Sequence, residues 1–323
     1  MKLILSLSCA FLVAGCAIRP LPEHVTGITT FNIVKQIRCE TREAAFNVLV
    51  SGLANNPTVF GEPARTIAEG FRDRPELMHE FKPALFTGNA REFVDFFWNT
   101  GIAYNFSLDM TEVNDFGANI NFVQNLTGST TTLGLGGAVD RLRENKRTFT
   151  VTDDFKGLLN LKPRTYCDGH LATGENPIYP ITGRIGVELF VREFVRVALF
   201  TNLKDNSDYG GAPTMVDTLL FNTYVSGSVT PKVVFSPVGR AFQLADASFT
   251  AAASRRDIHT LTMGLSVLAP PPPGTAAAVS GGRQLFGRLL TSRGGGTRKT
   301  AAEAVDQELT RQALSGRTIV VRP

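Results

Sequence analysis

The chain has 323 residues, 43% of them hydrophobic and 19% charged, with a net charge of +4. That apolar content supports a real core and excludes global disorder, and the 30 Gly and 17 Pro follow no collagen-like period. After the first fifteen residues no apolar run approaches the ~20 residues of a membrane helix. Residues 269–323 carry eight Lys or Arg against three Asp or Glu, and residues 16–268 carry a net −2. The basic character therefore belongs to the tail.

The N-terminus reads as a targeting segment. Lys2 gives a short positive start, Leu3 to Leu12 is apolar, and Ala14 and Gly15 are small enough for a signal-peptidase pocket. The tetrad Val13-Ala14-Gly15-Cys16 resembles the lipobox of bacterial lipoproteins. That resemblance implies cleavage before Cys16, a diacylglycerol on its sulfur and acylation of the new amine. Ala17, rather than Asp, is similar to the outer-membrane type. Residues 1–15 are thus expected to be a signal peptide and 16–26 a spacer held extended by Pro20 and Pro22. In an oxidising compartment Cys39 and Cys167 are an even pair and are expected to form a disulfide.

Residues 27–268 read as one globular α+β domain. A helix is predicted from Thr30 to Leu53, with Ile33, Ile37, Ala44 and Val48 on one face and Cys39 on the other. Two or three short helices follow from Glu62 to Asn99, one opened by Pro75 and one capped by Asn89. The period then changes from 3.6 to 2. Tyr104 to Met110, Ile120 to Phe122, Leu133 to Val139 and Phe149 to Phe155 alternate, with turns at Asn114-Asp115 and Thr127-Gly128. A helix is predicted from Gly183 to Phe200. Three further strands are predicted at 217–235, bent or bulged at Pro231, at 242–250 and at 258–268. The expected fold is α+β: N-terminal helices, two blocks of antiparallel strands and an intervening helix. Residues 269–299 form a Pro/Gly-rich basic linker and 300–323 a C-terminal helix and tail, an extension expected to lie outside the fold.

Chemistry is sparse. His24, His79, His170 and His259 match no metal-binding spacing. Gly134-Leu135-Gly136-Gly137 lacks the strand–turn–helix context of a dinucleotide site. Asp153-Asp154, and Asp109 with Glu112, are carboxylate pairs of a kind that could flank a sugar bond, although adjacent acids on a half-wet strand are usually just exposed. No catalytic or metal residue is assigned, and no cofactor beyond the covalent lipid on Cys16. Ile37-Arg38-Cys39-Glu40, the four-strand block and Ile181 to Gly186 resemble uncharacterised proteobacterial envelope proteins, which implies no activity.

The expected function is a lipid-anchored cell-envelope protein with a non-catalytic binding or structural role, at the outer membrane and facing the periplasm. The alternatives are an envelope hydrolase acting on peptidoglycan or another glycan, and an outer-membrane β-barrel. The expected partners are the membrane through the anchor, and an anionic envelope surface or envelope proteins through the basic tail. Nucleic acid is not expected.

Overall fold

The computed structural model describes residues 19–161, 166–167, 172–200, 214–235, 242–267 and 297–315. The fold is α+β. Two compact units divide the chain: one takes residues 28–108, 147–223 and 258–323, the other 1–27, 109–146 and 224–257.

The first unit is built on one long helix. Helix α1 (Glu23–Thr26) precedes it in the chain, and α2 (Thr30–Ala54) starts where Thr29 accepts the N–H of Asn32. Helix α2 is buried on nearly all sides, because α3 (Pro57–Phe60), α4 (Glu62–Arg72), α6 (Phe155–Leu159) and α7 (Val187–Phe200) all pack on it. Cys39, on the side away from the main apolar stripe, is therefore buried as well. It is bonded to Cys167 with Cα atoms 5.6 Å apart.

Buried polar groups on α2 hold the chain that leads into α7. Gln36 donates to the Gly183 carbonyl (2.6 Å), and the Glu40 carboxylate accepts the N–H groups of Ile185, Gly186 and Val187 (2.8–3.0 Å). Glu40 thus caps α7 from another helix, where four N–H groups lack intrahelical partners. Helix α7 begins at Val187 rather than Gly183 because Gly186 takes φ +84°. Helix α5 (Gly88–Trp98) has Thr87 at its N-cap, so Asn89 lies inside the first turn and donates instead to the Val59 carbonyl. Pro75 opens a 3-10 turn, Pro75–Glu80. Phe46, Phe71, Phe81 and Trp98 close the core with ring centroids 5.4–6.4 Å apart.

The strands differ in extent from the sequence reading. Tyr104–Met110 and Ile120–Phe122 belong to one strand, β1 (Gly101–Leu126), and the next two runs to β2 (Ser129–Asp154). Asn114-Asp115 is inside β1 rather than a turn, whereas Thr127-Gly128 is the turn, with Gly128 at φ +91°. The run expected to bend at Pro231 is instead broken there into β3 (Thr214–Val229) and β4 (Lys232–Val234), and the last two runs join as β5 (Gln243–Ser266). The sheet order is β2-β1-β5-β3, with β4 also on β5. A single register runs along β1 and β2. Asn105 meets Thr150, Phe106 stacks on Phe149, Glu112 pairs with Arg143, and Gly136 and Gly134 face Asn119 and Asn121. This is the register that a two-residue turn at Thr127-Gly128 dictates.

Helix α8 (Thr297–Ser315) corrects the expectation of a free tail. Its Ala301 and Val305 are buried with Ala103, and Arg298 pairs with Asp154 (2.7 Å). The approach is close enough that a Cβ on Gly101 would lie 2.2 Å from the Thr297 carbonyl carbon, and one on Gly264 would lie 2.7 Å from Val305. Small residues on strand and helix let α8 dock, although it carries few large apolar side chains. The linker residues 269–296 lie outside the described residues.

Candidate functional site

The second unit contains the outer parts of β1, β2, β3 and β5, together with β4. Its side chains sort by register into two unlike faces. Asn121 donates to Asp246 (2.8 Å) and Gly117 faces Thr250, which fixes β5 against β1. Lys232, Val233 and Val234 oppose Ser248, Ala247 and Asp246, which fixes β4 against β5.

With those registers, one face consists of four consecutive rungs with no polar side chain. Phe116, Val139, Ala251 and Val229 form the first rung, and Ala118, Gly137, Phe249 and Pro231 the second. Ile120, Leu135, Ala247 and Val233 form the third, and Phe122, Leu133, Ala245 and Phe235 the fourth. No described element of this unit covers the face. Ile120, Leu135, Val139, Val229, Val233 and Phe249 are 39–67% exposed. An exposed apolar patch of this extent marks a contact surface.

Polar rungs bound the patch. Asn114 and Arg141 lie at one end, followed by the Glu112–Arg143 ion pair, and Gln124, Thr131 and Gln243 lie at the other. On β1 the two boundaries are ten residues apart, about 34 Å along a strand. The opposite face of the same strands carries Asn119, Asn121, Thr130, Ser226, Ser248 and Thr250.

The N-terminal segment meets the charged end of the apolar face. Asn145 donates to the Pro20 carbonyl (2.9 Å) and Arg255 to that of Leu21 (2.7 Å), and both side chains lie on the face that carries the patch. Arg255 is held in turn by Asp257. Leu21 is five residues from Cys16, a reach of about 17 Å when extended. Cys16 itself and residues 1–15 lie outside the described residues.

The other candidates from the sequence have structural partners. Asp153 takes a two-pronged ion pair from Arg38 (2.6 Å each), whose guanidinium also bonds Tyr166 and stacks 5.0 Å over its ring. The bond to Asp153 raises the Arg38 pKa further, so the side chain stays charged. Asp154 caps α6 through the N–H of Gly157 and holds Arg298. Glu112 is paired with Arg143 and, at i+3 on a strand, projects opposite to Asp109. His259 bonds Tyr179 (2.5 Å), His24 accepts the Leu21 N–H, and His79 contacts the Glu76 carbonyl, while His170 lies outside the described residues. Gly134 and Gly136 serve the hairpin by making room for Asn121 and Asn119. The first unit has a cleft of about 880 Å³ between α2, α3, α5 and α7, lined by Asn47, Ser51, Asn55, Phe93, Arg192 and Arg196. Among the described residues no carboxylate lines it. Among the described residues no group of His, Cys, Asp and Glu has metal-site geometry, and no helix is long and apolar enough to cross a membrane.

Residues 19–303 match the family model described as "Uncharacterised protein y4kA". The chain belongs to the Y4kA family. It is 32% identical over 267 residues to the uncharacterized protein y4kA of Sinorhizobium fredii, covering 80% of each chain. Among solved structures, the InvG secretin domain β-barrel from the Salmonella SPI-1 injectisome NC-base is matched at 8% identity over 69% of this chain and 72% of that one, with a TM-score of 0.19.

Proposed function

We propose that this is a lipid-anchored protein of the outer membrane whose role is structural rather than catalytic, and that the apolar face of its second unit lies against lipid hydrocarbon. The observation that carries the reading is the set of four apolar rungs in phase across the sheet and bounded by polar ones. A membrane strand needs ~9–11 residues tilted at ~35–45°, and its apolar band is ~25 Å tall. The 34 Å between the polar boundaries, tilted by ~40°, gives about 26 Å.

Two features add support. The segment leading from Cys16 is tied to Asn145 and Arg255 at the charged end of the band, so acyl chains on Cys16 and the apolar rungs enter the same hydrocarbon layer. From Phe116 to Val139 the chain has no charged residue, and a charge on the lipid face of a barrel costs ~2–4 kcal/mol at mid-bilayer.

The test uses a single-tryptophan chain. With Cys16→Ser and Trp98→Phe in place, Ile120→Trp is expected to be quenched by brominated phospholipid in vesicles, and Asn121→Trp much less. Equal, negligible quenching at both positions would show that the sheet does not enter the bilayer.

A further inference from the structure

Lipid cannot satisfy backbone N–H and C=O groups, so open sheet edges do not occur in the hydrocarbon layer. This sheet ends in two edges, β2 and β3 with β4. Four strands are too few to close on themselves, since the smallest barrels have ~8. If the reading above holds, something must cover both edges.

The edges suit each other. Strands β1 and β2 are antiparallel through their hairpin, β1 and β5 are antiparallel by register, and so are β5 and β3. In the order β2-β1-β5-β3 the two edge strands therefore run in opposite directions. Setting β2 of one copy beside β3 of the next continues the antiparallel alternation. It also keeps every apolar face on one side and every Thr127-Gly128 turn at one end. Pairing β2 with β2 would instead put alternate turns at opposite ends. Head-to-tail contacts of this kind close into rings when the rotation between copies closes, and run on as filaments when it does not.

The β3–β4 edge is also left open for pairing. Natural edges are commonly blunted by proline. Here the Pro231 carbonyl accepts the Phe249 N–H and the Phe235 N–H donates to Ala245, so the odd-numbered residues bond inward to β5. The missing donor of Pro231 therefore lies on the inner side. Lys232 and Val234, by alternation, present their N–H groups outward.

We infer that copies of this chain join β2 to β3–β4 edge to edge and close a shared transmembrane barrel, with the polar face lining a water-filled, cation-preferring lumen. The preference follows from charge. Across the banded rungs the polar face carries Asp115, Asp140 and Asp246 against Lys232, and Lys232 pairs with Asp246 at 3.8 Å. Asp115 and Asp140 stand on the same rung of β1 and β2, where like charges directly opposed are destabilising. In a ring they repeat once per chain as a girdle of acids at one mouth. An aqueous channel takes ~16 strands or more, which is four or more copies.

The inference rests on the membrane reading, and the experiment separates the two. Full-length lipidated chain is extracted in mild detergent, sized by native mass spectrometry and reconstituted into planar bilayers in a KCl gradient. Closed oligomers of at least four chains, stepwise conductance, and a reversal potential on the potassium side are expected. Asp115→Asn with Asp140→Asn should bring the potassium-to-chloride permeability ratio several-fold closer to one. Val234→Pro, which removes an outward donor, should abolish the oligomer, with retained far-UV circular dichroism as the check on folding. Monomers without conductance from a chain that is still quenched at Ile120→Trp would overturn the barrel and leave the membrane reading standing. Absence of both quenching and conductance would remove both.

Discussion

Glu40 shows how one side chain organises its surroundings. A carboxylate in the core is costly unless it is fully bonded. Here three backbone N–H groups at the start of α7 surround it. Glu40→Ala leaves those donors without an acceptor, and urea unfolding should show a loss of ~3 kcal/mol. Glu40→Gln keeps an oxygen but loses the charge and should cost less. Tyr104 gives a pH signature. Burial raises its pKa well above the usual value, so the folded chain keeps the proton that the unfolded chain releases. The stabilisation is complete below the unfolded value of ~10 and falls as pH rises toward the folded one. Tyr104→Phe should move the alkaline unfolding midpoint upward, as read by circular dichroism at fixed temperature. Neither role was visible in the sequence. Glu40 was one polar residue among several on a helix, and its partners come from a segment more than a hundred residues away.

At the level of elements, α8 is the clearest departure from expectation. Composition read residues 269–323 as an extension because the stretch is rich in Pro, Gly and Arg and poor in large apolar side chains. Docking instead uses Gly101, Gly264, Ala301 and Val305, and close packing of small residues leaves no apolar stripe for periodicity to detect. Truncation before Thr297 should lower the melting temperature by at least ~4 °C, measured by calorimetry. Gly264→Val, which pushes into Val305, should cost ~1–3 kcal/mol. The Cys39–Cys167 disulfide was expected from the even count of cysteines left after Cys9 and Cys16 and from an expected oxidising compartment, and the bond is present. Cys39→Ser with Cys167→Ser should cost ~2–4 kcal/mol in the same assay. Strand boundaries were legible only in part. The alternation at Tyr104–Met110 and Leu261–Val267 stood out because large apolar side chains, all buried, recur there at every second residue. Between such stretches Asn114 and Asp115 looked like a turn, although they lie in one extended strand.

For the whole molecule, the α+β class and the order of the elements could be read from the chain, and the apolar rungs could not. No single strand displays them: β5 contributes mainly alanines, β2 alternates leucine with glycine, and β4 has only three residues. The pattern exists only across strands in register, and register is fixed by distant contacts such as Asn121 with Asp246. The run without charge from Phe116 to Val139 was the available hint. Ile120→Asp with Leu135→Asp should release the Cys16→Ser chain from membranes on carbonate extraction. Both positions are exposed, so the melting temperature in detergent should change little.

Under the proposed lipid anchoring, the tie between the N-terminal segment and Asn145 and Arg255 would also set a direction of travel. On that proposal, a chain fastened by acyl groups on Cys16 would meet the bilayer with the end that carries Arg141, Arg143 and Arg255 first, and that end would stay behind. The hairpin tip around Thr127-Gly128, at the other end, is flanked by Asn, Gln, Ser and Thr and carries no charge. Anchoring before insertion would then leave a single orientation, with the Thr127-Gly128 turn on the far leaflet.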